Sequence, residues 1–205
     1  MHNEIPKGKF VAIYGVNNLG KTTQTSQLAN RIRTECGVDV CQLKYALYDL
    51  QPTGHILNGY LREGNPFRMT PTEFQLVQTM NRLQYDAQLR GILAKGVWVV
   101  AEDYRGTGLA WGIGAGASKE LLVKLNSTLC PEDLSVLIDG DRFTSGREDN
   151  HAHESRNDLW NRVRGIHLDL AKEWGWSVVQ NAGRSPEEIH EEIWQKVANH
   201  FAAAR

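Results

Sequence analysis

Gly15-Val16-Asn17-Asn18-Leu19-Gly20-Lys21-Thr22-Thr23 satisfies the phosphate-loop pattern G-x-x-x-x-G-K-[ST] at every fixed position. Its flanks carry as much weight as the string. Phe10-Val11-Ala12-Ile13-Tyr14 before it is an apolar, β-rich run of buried-strand length, and Thr25, Leu28, Ala29 and Ile32 after it recur at helical spacing. The motif therefore sits on a strand-to-helix turn. Glycines permit the tight turn that aims successive amide N–H groups at an anion, and the helix N-terminus adds partial positive charge. Asn17, Asn18, Leu19, Gly20 and Thr23 would lend main chain to the cradle. Lys21 would reach the β- and γ-phosphates of a nucleoside triphosphate, and the Thr22 hydroxyl would bind Mg²⁺.

Working outward, Val38 to Lys44 alternates apolar and polar residues and predicts a second strand. A loop, Tyr45 to Gln51, leads into a helix from about Pro52 that carries Ile56, Leu57, Tyr60 and Leu61. After the break at Glu63-Gly64-Asn65-Pro66, Thr70-Pro71-Thr72-Glu73 forms a capping box. It opens a long helix to about Leu93, with Phe74, Val77, Leu83 and Ile92 expected on the buried side and Gln78, Arg82 and Tyr85 on a neighbouring stripe. Val97 to Ala101 reads as a strand covered on both faces, delivering Glu102-Asp103-Tyr104-Arg105 at its carboxyl end, where open parallel sheets bind ligands. Gly106 to Gly116 holds five glycines and reads as a flexible or close-packed loop, with room for a short helix around Leu109 to Trp111.

Ser118 caps a further helix, and Leu134 to Asp139 is a strand. Residues 140–155 are almost wholly polar and read as a mobile lid bearing Arg142 and Arg147, with Arg156 just beyond. A helix from about Asp158 to Trp174, a short strand at Trp176 to Val179, and a helix opened by Ser185-Pro186-Glu187-Glu188 complete the chain. Alternating strands and helices imply an α/β fold: one domain, residues 1–205, in three layers, with a parallel sheet of about five strands between helices.

Composition excludes several function classes. The 205 residues hold 23 basic and 24 acidic side chains, which argues against a surface built to grip nucleic acid or an anionic membrane. Cys36, Cys41 and Cys130 are scattered, as expected of reduced thiols in a reducing compartment. Residues 1–8 carry no apolar stretch of the secretory kind, and no run approaches membrane-spanning length, so a cytoplasmic location is expected.

Three features narrow the chemistry. Glu102 and Asp103 form an acidic pair at a strand end, and either one, with Thr22, suits Mg²⁺. The lid arginines match the charge spread over a transferring phosphoryl group, and a closing lid keeps water from ATP. Arg82, with the stretch from Tyr104 through Thr107 to Trp111, offers cationic and flat groups to a nucleotide acceptor, although Trp111 reads equally as core. His151-x-His153-Glu154 reads as a solvated loop rather than a metal site.

Together these residues resemble the thymidylate kinase family of nucleoside monophosphate kinases. The resemblance runs over nearly the whole chain: the phosphate loop with Thr23-Gln24, Pro52-Thr53-Gly54, Asn81-Arg82, the Glu-Asp-Tyr strand end, Leu109-Ala110-Trp111-Gly112, Pro131-Glu132-Asp133-Leu134 and the Ser185 helix start. It implies ATP + dTMP → ADP + dTDP, with Mg²⁺, in a homodimer. By position, the resemblance gives Asn17, Tyr48, Gln78, Arg82, Tyr104, Thr107 and Trp111 to the acceptor, with Tyr104 beside the deoxyribose. It gives Arg142 and Arg147 to ATP and the transferring group, and Asn181-Ala182-Gly183 to adenine.

Departures fall on the acceptor side. Asn17 stands where the family has Asp, Asp103 where it has Arg, and Gln78 where a Phe stacks on thymine. Arg105, two residues past Asp103, is expected to replace the missing cation by sharing its strand face. The alternatives are a kinase for a deoxynucleoside, with Glu102 as base, or for another monophosphate. A non-catalytic ATP-binding regulator is the third reading.

Overall fold

The computed structural model describes residues 7–142 and 157–202. Five strands, β1 (Phe10–Tyr14), β2 (Val40–Lys44), β3 (Trp98–Glu102), β4 (Leu134–Asp139) and β5 (Ser177–Gln180), form one parallel sheet in the order β2-β3-β1-β4-β5. The central strand β1 is buried along its whole length. Its alternation separates two cores: Val11 and Ile13 pack with Leu28, Ile32 and Ile193, whereas Phe10, Ala12 and Tyr14 pack with Leu89 and Leu93.

The helices are α1 (Lys21–Arg31), α2 (Thr53–Arg62), α3 (Pro71–Ala94), α4 (Arg105–Gly114), α5 (Lys119–Asn126), α6 (Asn157–Trp174) and α7 (Pro186–Ala202); α1 ends in a π-helical turn at Ile32–Cys36. Thr70 and Glu73 close the expected box on α3: the Glu73 amide donates to Thr70 Oγ1 at 3.3 Å, and the Thr70 amide donates to Glu73 Oε2 at 2.7 Å. Ser185 and Glu188 repeat the arrangement on α7. Cys36, Cys41 and Cys130 are free thiols. Among the described residues no helix is long and apolar enough to cross a membrane.

Two expectations fail. The glycine-rich stretch is not a loop but α4. Of the two readings of its glycines, close packing holds and flexibility does not: a Cβ on Gly106 would meet Trp176, on Gly112 would meet Leu122 and Gln75, and on Gly114 would meet Val163. Tertiary packing therefore overrides the low helix propensity of glycine. Leu83 is not on the buried side of α3 but 44 % exposed, aligned with exposed Leu76 and Met80. Phe74 is buried as expected, and the same helix also buries Gln75, Thr79, Asn81 and Arg82, polar residues that an apolar-periodicity reading passes over.

Candidate active site

The carboxyl ends of β1, β3 and β4 lie side by side and carry the chemistry. Past β1 the loop turns through left-handed conformations at Asn18 (φ 66°) and Gly20 (φ 85°). Gly20 at the N-cap of α1 has no side chain to cap it, and no acidic residue stands in its first turn, so its amides and dipole face the loop. Thr22 and Thr23 are exposed there. Lys21 is buried; its Nζ donates to the Val16 carbonyl at 3.1 Å and stands 3.9 Å from Asp103 Oδ1.

The acidic pair divides. Glu102, buried, pairs with Lys44 at 3.1 Å. Asp103 turns the chain with φ 60° and lines a cleft, its Oδ1 accepting the Thr107 hydroxyl at 2.7 Å. Burial pushes the Asp103 carboxyl up; Lys21 pulls it down and neighbouring Glu102 raises it again. Among the described residues no group of three His, Cys, Asp or Glu side chains gathers to hold a metal. Thr22 and the acidic pair are hard oxygen donors of the kind Mg²⁺ takes alongside phosphates and water, so they fit that ion.

Asn17, Tyr48, Gln78, Arg82, Thr107 and Trp111, all expected at the acceptor, line the same cleft. Arg82 is buried, with Nε and Nη1 making no hydrogen bond, and burial lowers its pKa. Gly108 of α4 makes room for it: a Cβ there would lie 2.7 Å from Arg82 Nη2. The Arg62 guanidinium sits 4.6 Å over the Tyr48 ring.

Two expected residues lie elsewhere. Tyr104 is fully buried in the core, its ring 5.1 Å from Phe10 and 4.9 Å from Tyr45, its hydroxyl donating to the Cys130 carbonyl at 3.2 Å. It is not among the residues lining the cleft. Arg105 does not replace the missing cation. β3 stops at Glu102 and Arg105 opens α4, so strand alternation does not govern it; its Nε and Nη2 both lie 2.6 Å from Glu132 Oε2. Glu132 also accepts the Tyr14 hydroxyl.

Sequence reasoning misses Tyr45, Leu61, Phe74 and Gln75 on the cleft wall. Phe74 is within its reach, since 74, 78 and 82 repeat every four residues along α3. Its ring stacks on Tyr60 at 3.8 Å. Tyr45 lies in a loop, where no periodicity points inward.

On the nucleotide side, the Asn181 side chain holds Asp141 by both backbone groups, at 2.8 and 2.9 Å, beside exposed Ala182 and Gly183. Arg142 lies 4.3 Å over the Trp160 ring. Arg147, with most of the expected lid, Arg156, His151, His153 and Glu154, lies outside the described residues.

A phosphate loop on a parallel sheet, with a polar cleft along the same edge, defines the class of phosphate-loop kinases. Within that class, the profile described as thymidylate kinase matches residues 13–193, and the chain belongs to the thymidylate kinase family. It is 33 % identical to a thymidylate kinase of Carboxydothermus hydrogenoformans over 91 % of this chain and 95 % of that one. It is 25 % identical to one from Plasmodium falciparum over 84 % and 92 %. Thymidylate kinase from Candida albicans shares the fold, with a TM-score of 0.79 at 19 % identity over 95 % of this chain and 93 % of that one.

Proposed function

We propose that this chain transfers the γ-phosphoryl group of ATP to dTMP, giving ADP and dTDP, with Mg²⁺ as the metal. Arg82 carries the reading: a buried cation with two unpartnered N–H groups on the wall of a cleft that also touches Asn17 and Asp103. An acceptor that brings its own phosphate supplies the anion Arg82 lacks. Family membership supports dTMP as that acceptor.

Lys21 exchanges the Val16 carbonyl for the β- and γ-phosphate oxygens. Thr22, with Asp103 or with Glu102 through water, would hold Mg²⁺, which neutralises charge between the two phosphates. Arg142 and Arg147 serve ATP and the transferring group. The acceptor is already an anion, so the work is positioning and no strong base is required. We further propose that two copies pair through the exposed Leu76, Met80 and Leu83 stripe of α3.

A second reading rests on Asp103, a carboxylate on the cleft wall that suits a hydroxyl acceptor in need of a base. The test is initial ADP release with dTMP, dUMP, dCMP, dGMP and thymidine. dTMP is expected to be fastest; an equal or faster monophosphate overturns the acceptor, and turnover of thymidine but not dTMP selects the second reading. ATP affinity without turnover on any acceptor would make the chain a binding regulator. Lys21→Ala is expected to lose at least about 10²-fold in kcat, and near-parental turnover would contradict its role.

A further inference from the structure

A phosphate loop turns its N–H groups inward, so its carbonyls face out and need donors from elsewhere. Val16 takes Lys21 Nζ at 3.1 Å, and Asn17 takes the indole Nε1–H of Trp160 at 3.4 Å. These two donors are unequal. Lys21 is the side chain that must leave to follow the triphosphate. Trp160 is buried, and its indole carries a single donor fixed in the ring plane, so it stays.

The same ring carries charge on its faces. The Arg142 guanidinium lies 4.3 Å from the ring centroid and that of Arg164 lies 5.9 Å from it. Arg164 is committed elsewhere: its Nε and Nη2 bond the two carboxylate oxygens of Asp139 at 2.5 and 3.0 Å. Trp160 and Arg164 stand one turn apart on α6, so this helix fastens the loop after β1 through Asn17 and the end of β4 through Asp139. Arg142 follows β4 by three residues and rests on the ring between those two fastenings.

We infer that Trp160 is a positioning residue for phosphoryl transfer: its indole N–H steadies the phosphate loop while its ring face aligns Arg142. This rests on the kinase reading, because it is for the γ-phosphoryl group that loop and arginine must be held together.

Trp160→Phe keeps a ring under Arg142 and removes the N–H; Trp160→Leu removes both. On the full chain, kcat, the KM for ATP and for dTMP, thermal unfolding and tryptophan emission during titration with ATP and Mg²⁺ are measured. Trp160→Phe is expected to lower kcat about threefold to tenfold, with the dTMP KM within about twofold and unfolding nearly unmoved. Trp160→Leu is expected to lose about threefold more. ATP is expected to change the emission of the parent, and that change should vanish in Trp160→Phe.

Parental kcat in both variants would overturn the inference. So would a rise in the dTMP KM alone, or a kcat loss that only tracks lost folded protein. If the parent phosphorylates no acceptor, the kinase reading fails separately. The ATP-induced emission change then decides for Trp160, its loss in Trp160→Phe supporting the loop contact and its persistence refuting it.

Discussion

The two halves of the site are made of different material. The donor half is main chain, the short loop between β1 and α1 at whose end α1 starts with no acidic residue in its first turn. The acceptor half is side chain, gathered from the loop after β2, from α3, from the end of β3 and from α4. Two buried groups without partners show why the material matters. His167 of α6 is buried with Nε2 unpaired; burial, reinforced by Lys21, lowers its pKa to about 3, so it is neutral. Arg82 is as deeply buried, with Nε and Nη1 unpaired, yet a guanidinium cannot shed its proton in this way. An imidazole escapes the cost of burial by discharging. An arginine keeps its charge, and an anion in the cleft is the partner that best offsets its burial.

Replacing Arg82 tests that contrast most severely. Arg82→Met should lower kcat/KM for dTMP by about 100-fold, the loss of charge-assisted hydrogen bonds to the acceptor. The KM for ATP should hold. Because the resting chain encloses an unsatisfied cation, the variant should unfold at the same or a higher temperature than the parent. Lower stability together with unchanged kcat/KM would make Arg82 a structural residue and erase the difference between the halves.

Legibility divides along the same line. The string Gly15 to Thr23 and its flanks place the donor half, because main-chain binding is encoded locally. Capping boxes at Thr70 and Ser185 likewise set the starts of α3 and α7. The acceptor half depends on which side chains packing brings together. Arg82 and Trp111 are legible as cationic and flat groups and Gln78 through family resemblance, whereas Tyr45 and Gln75 are not legible at all. A strand-face argument misplaces Arg105, because β3 stops at Glu102 and the chain turns at Asp103 with φ 60°. Tyr104, given to the acceptor by resemblance, packs in the core against Phe10 and Tyr45. Glycine in α4 reads as either freedom or close packing in the sequence, and the fold decides for contact.

His167 yields a pH test on the donor side. Its folded pKa lies near 3 against an ordinary 6.5, so between those values the unfolded chain binds a proton that the folded chain refuses. Stability is therefore fully present above pH 6.5 and falls as pH drops toward 3. At pH 5.5 the loss from this residue should be about 1.4 kcal/mol. His167→Met, which has nothing to protonate, should lose less stability between pH 7 and 5.5 than the parent, as read by denaturant unfolding. Parallel pH curves for the two proteins would mean that the imidazole charges inside the fold.

The gentlest perturbation separates the halves most sharply. A Cβ on Gly108 would lie 2.7 Å from Nη2 and 2.9 Å from Nη1 of Arg82, so something must move. The backbone of α4 is held by its contacts at Gly112 and Gly114, and the far end of an arginine is softer, so the guanidinium shifts toward the cleft. Alanine favours a helix over glycine by about 1 kcal/mol, so Gly108→Ala should not weaken the fold. The KM for dTMP should rise about threefold to tenfold, the weakening of one hydrogen bond, while kcat and the KM for ATP stay. A matching rise in the KM for ATP would show that one methyl group on α4 reaches the phosphate loop, and the two halves would then be one mechanical unit.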